Sequence, residues 1–540
     1  MNRTTANARS DTVPGSALSA VLPVILLLLL GGCTASVPSN ADNLGQKPVI
    51  NPDYSDLTIP PNIAPLNFEI LTPADEYLTV VSGRHSGSLP TERVLRGKTV
   101  VIPEKFWKEL LAGSAGGEIH FTVYARTGQT WQKYQSITNT VSPDRIDPWL
   151  TYRRIDPGYV QYGRVTIEER CIENFKTKSI FDNAAISPHS CANCHHARAG
   201  DPNNALFHVR QDYGGTMLRF NGKLRKINTV WPKSGFAMSY PSWHPTLPLI
   251  AYSSNNTRQT FHSRDIKKIE VLDNFSDLML YDIEKEEIIP IFETEDIYES
   301  FPAWSNDGKT LYYCVAEIKT SESRLGKTRK QTAEERLTEM CDRNREIHYS
   351  LMKMDFDSEK RSFSAPAAVF DAKVTGKSYV HPRVSPDGRF LVYVELDYGT
   401  FPLTHKESEL MLLDLATGQS RPLEEINTDA PESFHSWDTS GRWMVFSTRR
   451  ANSAFTRTYF THFAEDGTCT KPFLLPQRTP DDERADRYSH NLPELLTGPV
   501  PLDGGAMARA VRRNKAGRDG AAPRLFDNSD GNIARRDSLH

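Results

Sequence analysis

The chain is 540 residues long, enough for two or three domains with complete cores. A formal charge of −3 excludes the basic balance of a nucleic-acid-binding protein, so no nucleic-acid partner is expected. Aromatic residues make up 10%, Pro and Gly are frequent and long helical periodicity is rare, which points to a mainly β protein.

The N-terminus reads as an export signal. Arg3 and Arg9 supply positive charge, and Ala17 to Leu30 is apolar apart from Ser19 and Pro23. That run is too short to span a bilayer comfortably as a permanent helix. It ends in Leu30-Gly31-Gly32-Cys33, which resembles a bacterial lipoprotein lipobox. The resemblance implies that residues 1–33 are a signal with Cys33 as the lipidated residue, an anchor that several acyl chains make stable. Thr34 stands where a sorting aspartate would retain such a protein at the inner membrane. By the same resemblance, the expected place is the periplasmic side of the outer membrane. The alternative is an ordinary signal with Cys33 as a spare thiol. Residues 34–65 are polar and rich in Pro, Asn, Ser and Asp, and read as a tether.

Residues 66–162 hold short strand-like runs separated by turn signals, several alternating at period two. A helical turn or two at Pro103 to Leu111 interrupts them. This spacing predicts a β-sandwich, immunoglobulin- or fibronectin-like, for spacing or docking.

Residues 163–212 show little periodicity and carry Cys191-Ala192-Asn193-Cys194-His195. C-x-x-C-H is the attachment signature of a c-type haem. Cys191 and Cys194 would form thioethers to one edge of the macrocycle, and His195 would be the proximal iron ligand. One covalent haem c would also supply the core that a loop-rich segment lacks. A zinc site would need a second cysteine pair, and the remaining cysteines are scattered singly. A thioredoxin-like pair would open a helix after a strand, whereas this run follows the loop Ser187-Pro188-His189-Ser190. Cys171 has no assigned role. Distal ligand candidates are His208, in an apolar run, Met217, after Gly214-Gly215, and His262, each of which also reads as an ordinary core or loop residue. His196 adjoins the proximal ligand and cannot easily reach the other face of the iron. An open sixth position would shift the chemistry toward ligand sensing or peroxidase-like reactions.

From residue 213 to 501 the chain repeats itself. Tyr240-Pro241-Ser242-Trp243, Phe301-Pro302-Ala303-Trp304, His381-Pro382-Arg383-Val384 and Phe434-His435-Ser436-Trp437 each lead into a strand. A Ser/Asn-Asp-Gly type turn usually follows, then a second apolar strand. A further strand pair completes each unit, and two hairpins per repeat make a propeller blade. The repeats resemble the WD40-like β-propeller repeats of the TolB family. Joined to the lipobox and C-x-x-C-H, the chain is similar to TolB-like propeller lipoproteins with a c-type haem motif, the "cytochrome c family" proteins of Bacteroidetes-type bacteria. The first repeat departs from the pattern, with His244-Pro245 where Ser-Pro is usual and no Asp-Gly. The second carries a charged insertion, Lys319 to Arg345, expected to be helical. Gly214 to Asn228 forms a hairpin that could begin a fifth blade or close the ring. His381 and His435 recur at nearly one place, as blade architecture does. Residues 502–540, with eight Arg/Lys against five Asp, read as a disordered tail.

The expected function is a lipid-anchored mono-haem c-type cytochrome whose propeller docks a redox partner. The alternative is a TolB-like scaffold for envelope assembly with structural haem or none. A hydrolase is disfavoured: there is no G-x-S-x-G, no H-E-x-x-H and no appended α/β pattern.

Overall fold

A computed structural model describes residues 36–84, 91–156, 163–261, 269–294, 296–318, 333–451, 454–513 and 524–525. The protein is mainly β, with a six-bladed propeller as its larger part. Cys33 and His262 lie outside the described residues, as does 319–332 of the charged insertion, of which Ala333–Asp342 is helical.

Each blade is built on four antiparallel strands, and the edge of one sheet adds the parallel pair Arg524–Leu525. The innermost strands of blades 2 to 6 are Cys191–Arg198, Met238–Trp243, Ile297–Trp304, Ser378–Val384 and Glu432–Trp437. Blade 1 is stitched from both ends of the propeller sequence: Ser489–Leu496 lies innermost, followed by Trp149–Ile155, Val165–Cys171 and Thr177–Asp182. Successive inner strands touch all the way round, so the ring closes.

The turns follow from local chemistry. Ser305 Oγ donates to Asp307 Oδ1 at 2.7 Å, which in turn accepts the Lys309 amide at 3.0 Å. Asp387 repeats the second contact in blade 5, and Asp438 accepts the Trp443 amide in blade 6. The irregular first repeat uses an imidazole instead. His244 Nδ1 accepts the amides of Thr246 and Leu247, and its Nε2 donates to Gly308 O at 3.1 Å. Gly308 has φ +71°, and a Cβ there would sit 2.4 Å from His244 Cε1, so only glycine fits beneath that ring.

Several boundaries differ from the sequence reading. The described part of the expected tether, residues 36–65, packs into the fold: Tyr54, Leu57, Ile59 and Ile63 are buried, and Thr58–Ile59 pairs with Thr140–Val141. Apolar residues spaced irregularly among prolines left no period to read. The sheet region runs from about residue 41 to 141, where a seven-stranded and a three-stranded sheet share one core with the Glu104–Ser114 helix. Trp149–Ile155 belongs to blade 1 instead. The segment 163–212 is strand rather than loop, forming the outer strands of blade 1 and half of blade 2. The Gly214 hairpin supplies blade 2's outer strands. In the expected tail, Gly504–Arg513 is a helix whose Met507, Ala508 and Val511 are buried against blades 1 and 2.

The N-terminal region and blade 6 share one core that includes Phe121, Trp443 and Phe460. Polar contacts reinforce it: Trp443 Nε1 donates to Asp144 O at 3.1 Å, and His462 Nε2 contacts Asp144 Oδ2 at 2.8 Å.

Candidate functional site at the propeller axis

Six residues, one per inner strand, hold positive φ: Leu492 (52°), Cys194 (55°), Tyr240 (48°), Phe301 (54°), His381 (53°) and Phe434 (50°). The ladder shifts register beside each of them. These are six equivalent β-bulges. Each swings a side chain out of the blade-face alternation toward the axis. Left-handed backbone at a non-glycine residue costs about 1–2 kcal/mol, so the ring must over-determine these positions. The aromatic members pack on one another, with ring centroids 4.4 Å apart for Tyr240–Phe301, 4.1 Å for Phe301–His381 and 5.1 Å for His381–Phe434.

Cys194-His195 is therefore a blade lead, equivalent to Tyr240-Pro241, Phe301-Pro302, His381-Pro382, Phe434-His435 and Leu492-Pro493. The C-x-x-C-H run lies on an inner strand of the propeller, with Cys194 at the bulge. The backbone N–H of Tyr240 donates to Cys194 Sγ at 3.4 Å.

On the C-terminal side of this plug, a cavity of about 380 Å³ is lined from all six blades. Its mouth carries the exposed Ala199, Asn306 and Thr439. Trp243, Trp304 and Trp437 form part of its wall. The residues two places after each lead also face it: His196, Ser242, Ala303, Arg383, Ser436 and Glu494. His196 Nδ1 donates to Glu494 Oε1 at 2.6 Å, and the Ala197 amide donates to the same oxygen at 2.9 Å. Burial pushes the Glu494 carboxyl up, but His196 outweighs it and holds the group below its ordinary value. Burial lowers the Arg383 guanidinium, with Glu494 and Cys194 pulling it back. Burial and the nearby Arg383 hold His381 well below its usual value. His435 is depressed by burial to about 3, although its bond to Val392 O opposes the shift.

The expected haem residues separate in this geometry. Cys194 and His195 line the cavity, whereas Cys191 does not. Cys191 packs against Ile155, Val165, Leu403 and Phe434. Burial raises its thiol pKa, against the pull of Arg153 and Arg210. Two thioethers on one macrocycle need both sulfurs open to one space, so the pair as placed does not fit a doubly attached haem. Both ring nitrogens of His195 are buried without a hydrogen-bond partner of ordinary geometry. Burial lowers its pKa, and Glu494 and the Leu492 backbone partly restore it.

The distal candidates fare differently. His208 lies mid-blade, its Nδ1 2.9 Å from Thr216 Oγ1, and burial depresses it to about 3; it does not line the cavity. Met217 is buried between blades 1 and 2, beside a pocket of about 50 Å³ that His195 also borders, too small for a macrocycle. Among the described residues, no group of three or more His, Cys, Asp or Glu could hold a metal ion. Sequence reasoning missed Arg383, Glu494 and the role of His196. The available signal was their shared distance from the blade lead, visible only once blades 1 and 2 are counted.

No protein-family model and no curated protein matches the chain. Among solved structures it is similar to the GH74 enzyme of Niastella koreensis, at 12% identity and a TM-score of 0.35, over 59% of this chain and 44% of that one. Prolyl oligopeptidase B from Galerina marginata shares 11% identity with a TM-score of 0.33, over 66% and 42%. A DUF4784 family protein from Bacteroides caccae shares 8% with a TM-score of 0.32, over 80% and 96%. The chain spans less than half the length of the first two.

Proposed function

We propose that this chain is a TolB-like envelope scaffold, lipid-anchored at Cys33, that captures a ligand or a partner's segment in its axial cavity. The observation that carries this reading is the cavity itself, about 380 Å³ and walled by all six blades. A pocket of that size with mixed aromatic and charged walls suits binding. A photo-crosslinking amino acid placed at Trp304 in the host cell tests it. A discrete adduct at Trp304, none at the exposed Val374, and loss of the adduct when Ala303→Trp fills the cavity support the reading. Equal labelling at both positions rejects it.

A second reading keeps the c-type cytochrome, with haem c on Cys191 and Cys194 and His195 as proximal ligand. It is favoured by the orphaned nitrogens of His195, and it requires the strand around Cys191 to open. Oxidised and dithionite-reduced visible spectra of protein matured with c-type attachment genes decide it. A sharp reduced α-band that resists acid-acetone extraction and vanishes in Cys191→Ala/Cys194→Ala establishes haem. Folded, exported protein without that band excludes it.

A further inference from the structure

The tier of side chains two places after the six leads is lopsided. On blades 3, 4 and 6 it holds only Ser242, Ala303 and Ser436. On blades 1 and 2, Glu494 and His196 satisfy one another. On blade 5, opposite His196, stands Arg383. Its side chain makes no hydrogen bond or ion pair to a protein group among the described residues, and it lines the cavity. A guanidinium withdrawn from bulk water is costly unless something pairs with it. Among the described residues none makes a hydrogen-bonded pair with it: Glu494 pulls on the guanidinium through space, while its Oε1 is held by His196 and the Ala197 amide. Arg198, the other guanidinium on the cavity wall, turns Nε and Nη2 to the Pro245 carbonyl, and Asp201 acts on its charge only through space. Among the described residues, neither guanidinium on the wall is hydrogen-bonded to a carboxylate of the protein.

Resting on the binding role proposed above, we infer that the cavity takes a carboxylate, paired to the Arg383 guanidinium, on a body that packs against Trp243, Trp304 and Trp437. The fork geometry of a guanidinium matches a carboxylate with two parallel hydrogen bonds. The fixed charge of Glu494 disfavours a phosphate dianion, and the small residues at Ser242, Ala303 and Ser436 leave room for the attached group. The carboxylate can belong to a free aromatic acid or to the C-terminus of a peptide.

Four probes separate the possibilities: 3-phenylpropionate, its amide, the peptide Gly-Gly-Phe and its C-terminal amide. Each is titrated into the full-length protein in detergent, with tryptophan fluorescence and calorimetry as readouts. An acid that binds roughly tenfold or more tightly than its amide, with the difference abolished in Arg383→Gln, supports the inference. Arg383→Lys keeps the charge but not the fork, and is expected to retain part of the preference. The free acid alone discriminating identifies a small-molecule ligand, and the peptide alone a chain end; either supports the carboxylate. Amides that bind as well as acids, with both lost in Ser436→Trp, overturn the carboxylate while leaving the cavity as the binding site. No binding of any probe to wild-type protein at tens of millimolar overturns it too, and the crosslinking at Trp304 then judges the cavity independently. Near-UV circular dichroism and melting confirm that each variant is folded.

Discussion

Blades 2 and 6 carry a histidine at the same place and use it in opposite ways. His435 Nε2 donates to the Val392 carbonyl at 3.0 Å, tying blade 6 to the second strand of blade 5. His195 has no bond of that geometry, only the pull of the Leu492 backbone on the inner strand of blade 1. The strand that corresponds to blade 5's second strand is Trp149–Ile155 of blade 1, and the residue equivalent to Val392 is Thr151, by the pairing of Val392 with Arg383 and of Thr151 with Glu494. Thr151 Oγ1 contacts the Glu494 carbonyl of its own blade instead. A repeat position thus fixes where a side chain is aimed. The neighbouring blade decides whether it is used.

The largest break in this comparison lies in blade 1, which alone is made from two distant segments. Leu495→Ala, in the closing strand and 1% exposed, is expected to cost about 2–5 kcal/mol, measured by urea unfolding, and a loss below 1 kcal/mol would show that the closing strand is dispensable. Next comes the histidine that bonds. His435→Ala removes this bond while the Val392 carbonyl keeps its ladder partner Arg383, an expected loss of about 0.5–1.5 kcal/mol. The same imidazole carries a pH dependence. Its folded value of about 3 lies below the ordinary 6.5, so the unfolded chain binds the extra proton between those values. Stability from this group is full above pH 6.5 and falls as the pH drops toward about 3, at ~1.4 kcal/mol per pH unit. Unfolding of His435→Phe at pH 7 and pH 5 should show a slope smaller by one proton; an unchanged slope assigns the titration to the other histidines depressed by burial, among them His208, His244 and His381. The smallest effect sits at His195. Four of its equivalents are proline (Pro241, Pro302, Pro382 and Pro493), so the position needs no backbone donor. His195→Pro is expected to leave the melting temperature unchanged or raise stability by about 0.4–1 kcal/mol, and a clear loss would show that the imidazole or its N–H is engaged.

Blades 3 to 6 were readable because each joins an aromatic or histidine lead to a turn whose residues cap their own amides. Blade 2 was not, since its lead coincides with C-x-x-C-H and the two thiols suggested a loop around a cofactor. Its third and fourth strands were seen as a hairpin whose place stayed open. Blade 1 was hidden by its two-part origin: Leu492-Pro493-Glu494 has the lead and the proline but no Asp-Gly turn, because the chain leaves the ring there. The axial cavity was illegible for the same reason. Its tier of His196, Arg383 and Glu494 is spread over 299 positions of sequence and becomes a ring only through closure. The buried N-terminal strands, two or three residues each, are too short to show a period.

That closure also sets an order of events in time. Thr151 and Glu494, 343 residues apart, must meet before blade 1 exists, and the later partner is the last inner strand to be synthesised. Five blades can pair locally as they emerge, while Trp149–Ile155 waits with one edge unpaired, open to mispairing with another chain. Until residue 496 arrives there is no axis, and every property assigned to the cavity belongs only to the finished chain.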